Sequence, residues 1–595
     1  MRTTILSLPM ETLREIVDYA VDERHTDMKQ IDWDAIFDCR KTIKSQRVIS
    51  MQTVFNLRLI SKRFYDAASH LLVPVLRIQL DEASLQRAEE ISKVSQVAAG
   101  VKEVELILPY CPDNLACDLQ TFTKFKIDQF DYMEESSRNS LTAIGDALEH
   151  EEYLETDEES DEEPFPPSEE MASDDNTDVS GSETSSTTKQ LEQDPINGMN
   201  FVCASKKWLA MRAAWEDAIA PDGQELAMDA DKRILHEGFE RFRALYGKQH
   251  HLVTTGTFAT RLGAILSRLS GVEWLNFKDE TSDLTDEAKD MRFVKILLDA
   301  DKIIDNLAEP MRWATACGID AGPDVIFATI KAAALLWDVP IALHRAGVRF
   351  RKLNIQCFPG DRKFELESAA NGFLKGTEVE FRNAFSSLDS FHFSPKSLSQ
   401  GVFAIDLEAF TIGQEHQIIH YLKLCTSGAQ LRDLCISFEH FRCMTMKLNR
   451  QDELLLSLDD VLESMGSTRL NTIQVESASV PQAGILGLCE RLGPQTTRVS
   501  LTDLNLQIDS WPDVLQALRS AIGPRVAQGK CRFDMANFDT AELERYYKTL
   551  HNLQFLLRGQ LVDIMSEEGV YDEVCDYVAG ILDENPLSKY QENLE

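Results

Sequence analysis

The chain has 595 residues, and its 98 acidic side chains against 61 basic ones leave a formal net charge of −37. Binding along a phosphate backbone requires clustered Lys and Arg, so this balance argues against nucleic acid as a general partner. Hydrophobic residues make up 43% of the chain, which is enough to fill large cores, and the length predicts several domains.

Cysteine usage and hydropathy predict a soluble protein of a reducing compartment, cytoplasmic or nuclear. The 12 cysteines form no CxxC pair, and a chain of this length does not need disulfides to fold. No charged segment followed by an apolar run opens the chain, and no stretch of about 20 apolar residues is present, so neither a secretory signal nor a membrane span is expected.

Two amphipathic helices are predicted in residues 6–22 and 54–72. In the first, Pro9 suits an opening helical turn, and one stripe contains Leu13, Ile16, Val17, Ala20 and Val21. In the second, Lys62 and Arg63 are expected to point away from a stripe formed by Leu57, Ile60, Phe64, Ala67, Ala68 and Leu71. Packing the two stripes together leaves Leu8, Phe55 and Leu59 without an internal partner, so a second protein is expected to cover them.

Residues 149–194 contain 18 acidic side chains and one basic residue, Lys189. The segment has too few large apolar side chains to offset its ordering entropy and is predicted to be disordered. An alternative to a passive insertion is that this segment binds basic proteins.

An apolar triplet spaced LxxLxL recurs on both sides of this segment, each copy preceded by a helical stretch. The last two residues of each triplet alternate as a half-buried strand requires. These pairs are Leu76 and Ile78, Val104 and Leu106, Leu275 and Phe277, Leu353 and Ile355, Phe391 and Phe393, Leu434 and Ile436, Ile473 and Val475, and, more weakly, Val499 and Leu501.

The later copies, at positions 275, 353, 391, 434 and 473, are 78, 38, 43 and 39 residues apart, and the first step is about two units long. Such spacing predicts an α/β stack of strand–helix units with the strands on the concave side. The pattern resembles a degenerate leucine-rich repeat, although the family's Asn is replaced by Glu280, Phe358, Glu439 and Ala478. An ordinary α/β domain with coincidentally spaced strands is the alternative.

The predicted organisation has five parts. Residues 1–72 form a helical unit with an inserted segment at 23–50, residues 73–133 the first strand–helix units, and residues 134–198 the disordered acidic insertion. Residues 199–540 form the main repeat-like domain, and residues 541–595 a helical cap and tail, in which an apolar stripe over 541–564 would close the stack.

The opening segments LPMETLREIV and NLRLISKRFYDAASHLL resemble the F-box, and the sequence that follows, through residue 108, is similar to that found after the F-box in many proteins of filamentous fungi. The resemblance implies docking on a Skp-family adaptor within a Skp-cullin-F-box ubiquitin ligase, while the repeats hold a protein substrate. The adaptor face would be built or supported by Leu8, Pro9, Leu13, Ile16, Leu57, Leu59 and Phe64; among these, Leu13, Ile16 and Phe64 are expected to be core. The family has no catalytic residues or cofactor of its own.

The residues between the triplet positions are candidates for the substrate face. If the triplets point inward, the strands present outward Asn276, Asn354, His392, Cys435, Gln474 and Ser500, with Lys278 and Gln356 one step on. Of these, Asn276, Lys278, Asn354, Gln356, His392 and Gln474 are the predicted substrate-binding set. Ordinary solvated strand residues are the alternative at each position.

Enzyme and metal motifs are not evident in the sequence. The segment HQIIH at 416–420 places two His one helical turn apart, but Gln417 occupies the position of the general-base glutamate of zinc hydrolases. Neither a phosphate-binding glycine loop nor a nucleophile elbow is present. We therefore expect a non-catalytic receptor; the alternative is a scaffold or acidic chaperone that binds basic proteins through residues 149–194.

Overall fold

A computed structural model of the chain describes residues 8–21, 51–156, 194–220, 229–280, 292–313, 331–358, 373–395, 405–406, 412–438, 443–447, 450–454, 458–467, 469–506, 511–536 and 567–587. The predicted insertion at 23–50 and the predicted cap helix at 541–564 lie outside the described residues, as does most of the acidic segment, 157–193.

The N-terminal unit contains helices α1 (Met10–Val21), α2 (Met51–Ile60) and α3 (Lys62–Ala68) and a 3₁₀ turn, Ser69–Leu71. These elements bury a small apolar cluster of their own, distinct from the large core of the rest of the chain. Its buried members are Leu13, Val17, Val54, Phe64, Ala67, Ala68 and Leu71. The His70 ring lies 2.9 Å from an Asp18 carboxylate oxygen and joins the 3₁₀ turn to α1.

A break at Ser61 divides the second predicted helix into α2 and α3. Ser61 is extended, with φ −164°, and its hydroxyl accepts the N–H of Phe64, so it caps α3. The predicted continuous stripe is therefore wrong at Ile60, whose side chain is 61% exposed. The expectation that Arg63 points away is also wrong, because its guanidinium donates to the carbonyl of Leu8 at 2.5 Å.

The main domain is built on a parallel sheet of nine strands. Each neighbour in the sheet is the next of these strands along the chain, so α/β units are added one after another. In order, the strands are β1 (Val75–Gln79), β2 (Glu103–Ile107), β3 (Trp274–Lys278), β4 (Lys352–Ile355), β5 (Ser390–Phe393), β7 (Asp433–Ser437), β10 (Thr472–Val480), β11 (Arg498–Leu506) and β12 (Arg532–Ala536).

The strand register aligns the predicted alternating residues in two rows across the sheet. One row runs from Leu76 to Val499 and the other from Ile78 to Leu501, and every member is buried in the large core. The ninth strand extends both rows with Phe533 and Met535. The sequence pattern missed this strand because Lys530 occupies the first apolar position of its triplet.

Helices cover the face of the sheet on which these rows lie. They pack side by side in chain order, so the helical layer follows the strands. The row is α4 (Glu82–Lys93), α10 (Thr257–Leu266), α13 (Leu335–Arg345), α14 (Glu378–Ala384), α15 (Ile412–Thr426), α16 (Asp459–Ser464), α17 (Gln482–Cys489), α18 (Trp511–Val526) and α19 (Glu567–Ala579). Helix α19 also contacts β12, at the end of the sheet.

The same hydrogen-bond pattern recurs at the amino ends of the strands. Two successive N–H groups, one just before the strand and one at its first residue, donate to a single carbonyl of the preceding unit. Examples are the bonds from Asp389 and Ser390 to Arg351, and from Arg432 and Asp433 to Asp389, at 2.7–3.1 Å. This repeated geometry satisfies main-chain groups at the sheet edge and keeps adjacent strands in register.

A helical insertion separates β2 from β3. It comprises α6 (Asp113–Cys117), α7 (Leu119–Thr156), α8 (Asp194–Ala218) and α9 (Ala230–Thr254), whereas the short helix α5 (Ser95–Ala98) lies between α4 and β2. The predicted disordered boundary at 134 is wrong, because α7 continues through Thr156 and Ser137 is buried. Phe130 of α7 and Trp208 of α8 stack with ring centroids 4.9 Å apart, so the two helices pack together.

The long step between β3 and β4 is an insertion rather than a hidden strand. The two strands pair directly, and the described part of the insertion holds α11 (Arg292–Leu297), α12 (Ala300–Ala308) and a 3₁₀ turn, Lys331–Ala334. A second, small sheet contains β6 (Ile405–Asp406), β8 (Cys443–Lys447) and β9 (Arg450–Leu454).

The N-terminal unit meets the main domain at Gly100. A Cβ atom on this residue would lie 1.6 Å from the carbonyl oxygen of His70, so only glycine allows this approach.

Candidate interaction surfaces

An apolar surface on α2 faces away from the small core of the N-terminal unit. Phe55 and Leu59 lie one helical turn apart on the same side and are 47% and 85% exposed, and Ile60 follows at the break. Val54, one position before Phe55, points the opposite way and is buried. We call Phe55, Leu59 and Ile60 the α2 surface.

The residues predicted to form the adaptor face fall into two groups. Leu13 and Phe64 are buried in the small core and support the helices rather than the surface. Pro9 and Leu59 are exposed, whereas Leu8 and Leu57 are half-buried. Ile16, expected to be core, is 37% exposed. The structure thus leaves Pro9, Ile16 and Leu59 of the predicted set on the surface.

Two surface residues were missed by the sequence reading. Ile60 belongs to the predicted inner stripe, but α2 ends at this residue, before the break at Ser61, and its side chain is exposed. Tyr65 is 42% exposed, and the guanidinium of Arg58 lies 4.3 Å from the centre of its ring. A serine before a Lys-Arg pair was the available signal, since Ser is a favoured residue for starting a helix.

The face of the sheet opposite the helices is polar, and we call it the polar face. Its central row crosses the nine strands in register. The row consists of Arg77, Glu105, Asn276, Asn354, His392, Cys435, Gln474, Ser500 and Asp534. The residues predicted by parity to lie opposite the core therefore share one face.

The first three strands carry an ion-pair network on this face. The buried Glu105 carboxylate accepts from Arg77 at 2.8 Å and from Lys278 at 2.6 Å. Burial raises the pKa of Glu105, but the hydrogen bonds from Lys278 and Arg77 outweigh this and lower the pKa overall. Beside it, the amide of Asn276 donates to the Glu103 carboxylate. The ion pairs of Glu105 with Arg77 and Lys278 link β1, β2 and β3.

Three of the predicted substrate-binding residues are consequently placed in structural roles. Asn276 is 1% exposed and donates to Glu103, and Lys278 is held by Glu105. Gln356 is buried. The expectation that these side chains extend outward as contact residues is wrong for Asn276 and Gln356, because the neighbouring strands and turns enclose them.

The centre of the polar face is formed by half-buried side chains. Asn354, His392 and Gln474 lie there on β4, β5 and β10. Burial lowers the pKa of His392 to about 4, with a further contribution from the positive charge of Lys352. The imidazole is therefore neutral at pH 7. Lys352 itself lies over the Trp274 ring, 4.2 Å from its centre. This part of the face offers neutral donors and acceptors.

Clusters of metal ligands and membrane-spanning helices are both absent from the residues that the structure describes. No group of three or more His, Cys, Asp or Glu side chains there could hold a metal ion. Within the same residues, each helix is too short or too polar to span a bilayer. His420, the second histidine of the HQIIH segment, lies on α15 and approaches Glu378 at 3.9 Å.

No family model matches the chain, and comparisons with curated proteins and with solved structures found no match.

Proposed function

We propose that the protein is the substrate-recognition subunit of a Skp-cullin-F-box ubiquitin ligase, docking a Skp-family adaptor through its N-terminal helices and a protein substrate through the polar face. One observation carries the proposal. A small helical unit with a core of its own exposes the α2 surface, and this unit is joined to an α/β stack built on a nine-stranded parallel sheet.

The energetics of the α2 surface support a protein partner. Weighted by their exposed fractions, Leu59, Ile60 and Phe55 would contribute about 4 kcal/mol on complete burial, before the costs of association. The small core beneath them has seven buried apolar residues, which is little for an independent unit. An adaptor covering the α2 surface would stabilise the unit while gaining affinity from it.

The polar face supports the second half of the proposal. Its neutral centre, with Asn354, His392 and Gln474, favours recognition by hydrogen bonds. Arg77, Glu105 and Lys278, on the first three strands, are already paired with one another. Ubiquitin transfer would then follow from proximity, because the receptor holds substrate lysines near an enzyme carried elsewhere in the complex.

Adaptor binding by the full-length chain tests the proposal. We expect purified Skp-family adaptor to bind the wild-type chain, and Leu59→Asp to weaken binding at least tenfold, because the substitution places a charge at the centre of an apolar interface. Leu209→Asp is the matched control: Leu209 lies on α8 in the main domain and is 58% exposed. Far-ultraviolet circular dichroism checks that both variants are folded.

Two results would contradict the receptor function. One is the absence of adaptor binding by the wild-type chain, and the other is equal loss of binding in both variants. Recovery of basic proteins in a salt-sensitive manner, without an adaptor, would instead support the chaperone alternative.

A further inference from the structure

A cavity of about 560 Å³ lies at the carboxyl ends of the first three strands. Its walls come from the turns after β1, β2 and β3, from α9, and from the segment around α11 and α12. The carboxyl edge of a parallel sheet is where α/β proteins commonly bind ligands, because the turns that leave the strands can vary without disturbing the sheet. None of the predicted substrate-binding residues lies in this cavity.

The charges around the cavity do not balance. Glu280 is paired with Arg312, and Glu309 with Arg292. The remaining two carboxylates, Asp81 and Asp279, take part in no ion pair among the residues the structure describes. Each accepts a main-chain N–H: Asp81 from Ser84 at 2.7 Å and Asp279 from Trp313 at 2.8 Å. The cavity therefore has a net charge of −2, part of it on the buried Asp279.

Apolar side chains complete the walls. Leu80, Leu245, Pro109 and Pro310 line the same space as the carboxylates. A long basic side chain has the matching composition, since its aliphatic stem packs against apolar atoms and its charged head requires acceptors. A ligand with a cation at the end of a hydrocarbon chain would thus satisfy both kinds of wall.

We propose that this cavity binds an organic cation, an ammonium or guanidinium group on an aliphatic stem, with Asp279 and Asp81 as its charge partners. The lining carboxylates are spread around the walls, and in the described part of the chain no three of them are close enough together to hold a metal ion. The net charge of −37 adds a long-range attraction for cations. The proposal does not depend on adaptor docking.

Binding of small probes to the full-length chain tests the inference. Calorimetric titrations would use Nα-acetyl-L-lysine amide and Nα-acetyl-L-arginine amide as side-chain probes and spermidine as a free amine. The neutral control is Nα-acetyl-L-norleucine amide, which keeps an aliphatic stem without the charge. Stronger binding of the amino-acid amides supports a protein segment as the natural source of the cation, and stronger binding of spermidine supports a free amine.

Two substitutions remove the charges with little change in shape. Asp279→Asn keeps an oxygen for the N–H of Trp313, and Asp81→Asn keeps a favoured helix-capping residue at the start of α4. Each is expected to weaken cation binding about tenfold, in line with the loss of a charge-assisted hydrogen bond. Asp433→Asn, on the polar face outside the cavity, is the control and should leave binding unchanged.

The pH profile offers a second readout. Burial raises the pKa of Asp279 to about 6, so cation binding should weaken as the pH falls below 6 and this carboxyl becomes neutral. The titratable groups that face it or share the cavity are Arg312, Glu280, Cys357, Asp81, Arg292 and Glu309. In Asp279→Asn the weakening around pH 6 should be smaller.

Three results would overturn the proposal. The first is equal affinity for the norleucine and lysine amides, and the second is unchanged cation binding in Asp279→Asn and Asp81→Asn. The third is no binding of any cation at concentrations up to about 20 mM, which would mean a binding free energy weaker than roughly 2 kcal/mol. Loss of adaptor binding in Leu59→Asp with cation binding intact would separate this site from the proposed ligase function.

Discussion

A buried lysine in α7 provides a sharp test of the energetics of the helical insertion. The Lys126 side chain is 1% exposed, and its ammonium donates to Gln129 at 3.1 Å and to the carbonyl of Asn306 at 3.3 Å. It also lies 5.8 and 5.9 Å from the ring centres of Phe122 and Phe242. Burial lowers the pKa of Lys126 to about 8, although Glu309 and Cys111 oppose this.

This pKa determines how the free energy of unfolding depends on pH. The difference between 10.5 and about 8 corresponds to roughly 3 kcal/mol of destabilisation when both folded and unfolded states are protonated, which holds below pH 8. Between pH 8 and 10.5 the unfolded state binds more protons than the folded state, so the contribution of Lys126 to stability rises with pH. Above that range the penalty is absent.

Lys126→Met is the informative substitution, because it keeps an unbranched side chain among the phenylalanine rings and removes the charge. The loss of two hydrogen bonds costs about 2 kcal/mol, against the ~3 kcal/mol penalty that disappears. We expect a net gain of about 1 kcal/mol at pH 7. We also expect the free energy of unfolding of the variant, relative to that of the wild type, to fall steadily between pH 8 and 10, because the wild type gains stability over that range.

Urea unfolding followed by far-ultraviolet circular dichroism measures these differences, and hydrogen exchange in α7 and α9 localises them. Lys124→Met is the control, since Lys124 is exposed on the same helix and should show no such dependence. Parallel pH profiles for wild type and Lys126→Met would refute the assignment of a penalty to Lys126.

Two further substitutions test the packing of the chain. Gly100→Ala forces a methyl group against the carbonyl of His70, so we expect a loss of about 1–3 kcal/mol and faster hydrogen exchange in α3, with Gly487→Ala, where space is open, as the control. Asp338 accepts the N–H groups of Phe373 and Leu374, and burial raises its pKa to about 6. The folded state therefore binds more protons than the unfolded state between about pH 4 and 6, and the contribution of Asp338 to stability falls by up to ~3 kcal/mol as the pH rises through that window. Asp338→Asn should remove this dependence in urea titrations; an unchanged profile would contradict it.

The strand positions could be predicted from sequence because each strand carries a local signal. Alternating apolar residues such as Leu434 and Ile436 specify a half-buried strand by themselves, and the preceding helical stretches supply the covering layer. Eight of the nine sheet strands follow this pattern. The ninth, with Phe533 and Met535, departs from it only at Lys530, and strand pairing with β11 decided its place.

The details of the candidate surfaces depended on tertiary contacts. The alternation of side chains along a strand placed Asn276 and Lys278 on the polar face. Their partners Glu103 and Glu105 lie more than 170 residues earlier in the chain, so these pairings could not be predicted from the local sequence. The cavity gathers Asp81 and Asp279 from turns that lie even further apart in the chain.

The sequence by itself determined the α/β class, the alternation within the strands and the amphipathic character of the opening helices, because these depend on neighbours within a few residues. Only the tertiary structure decided which polar groups are paired, where α2 ends and which apolar side chains remain exposed. Those outcomes depend on burial and on contacts between distant segments, and burial is a property of the assembled chain.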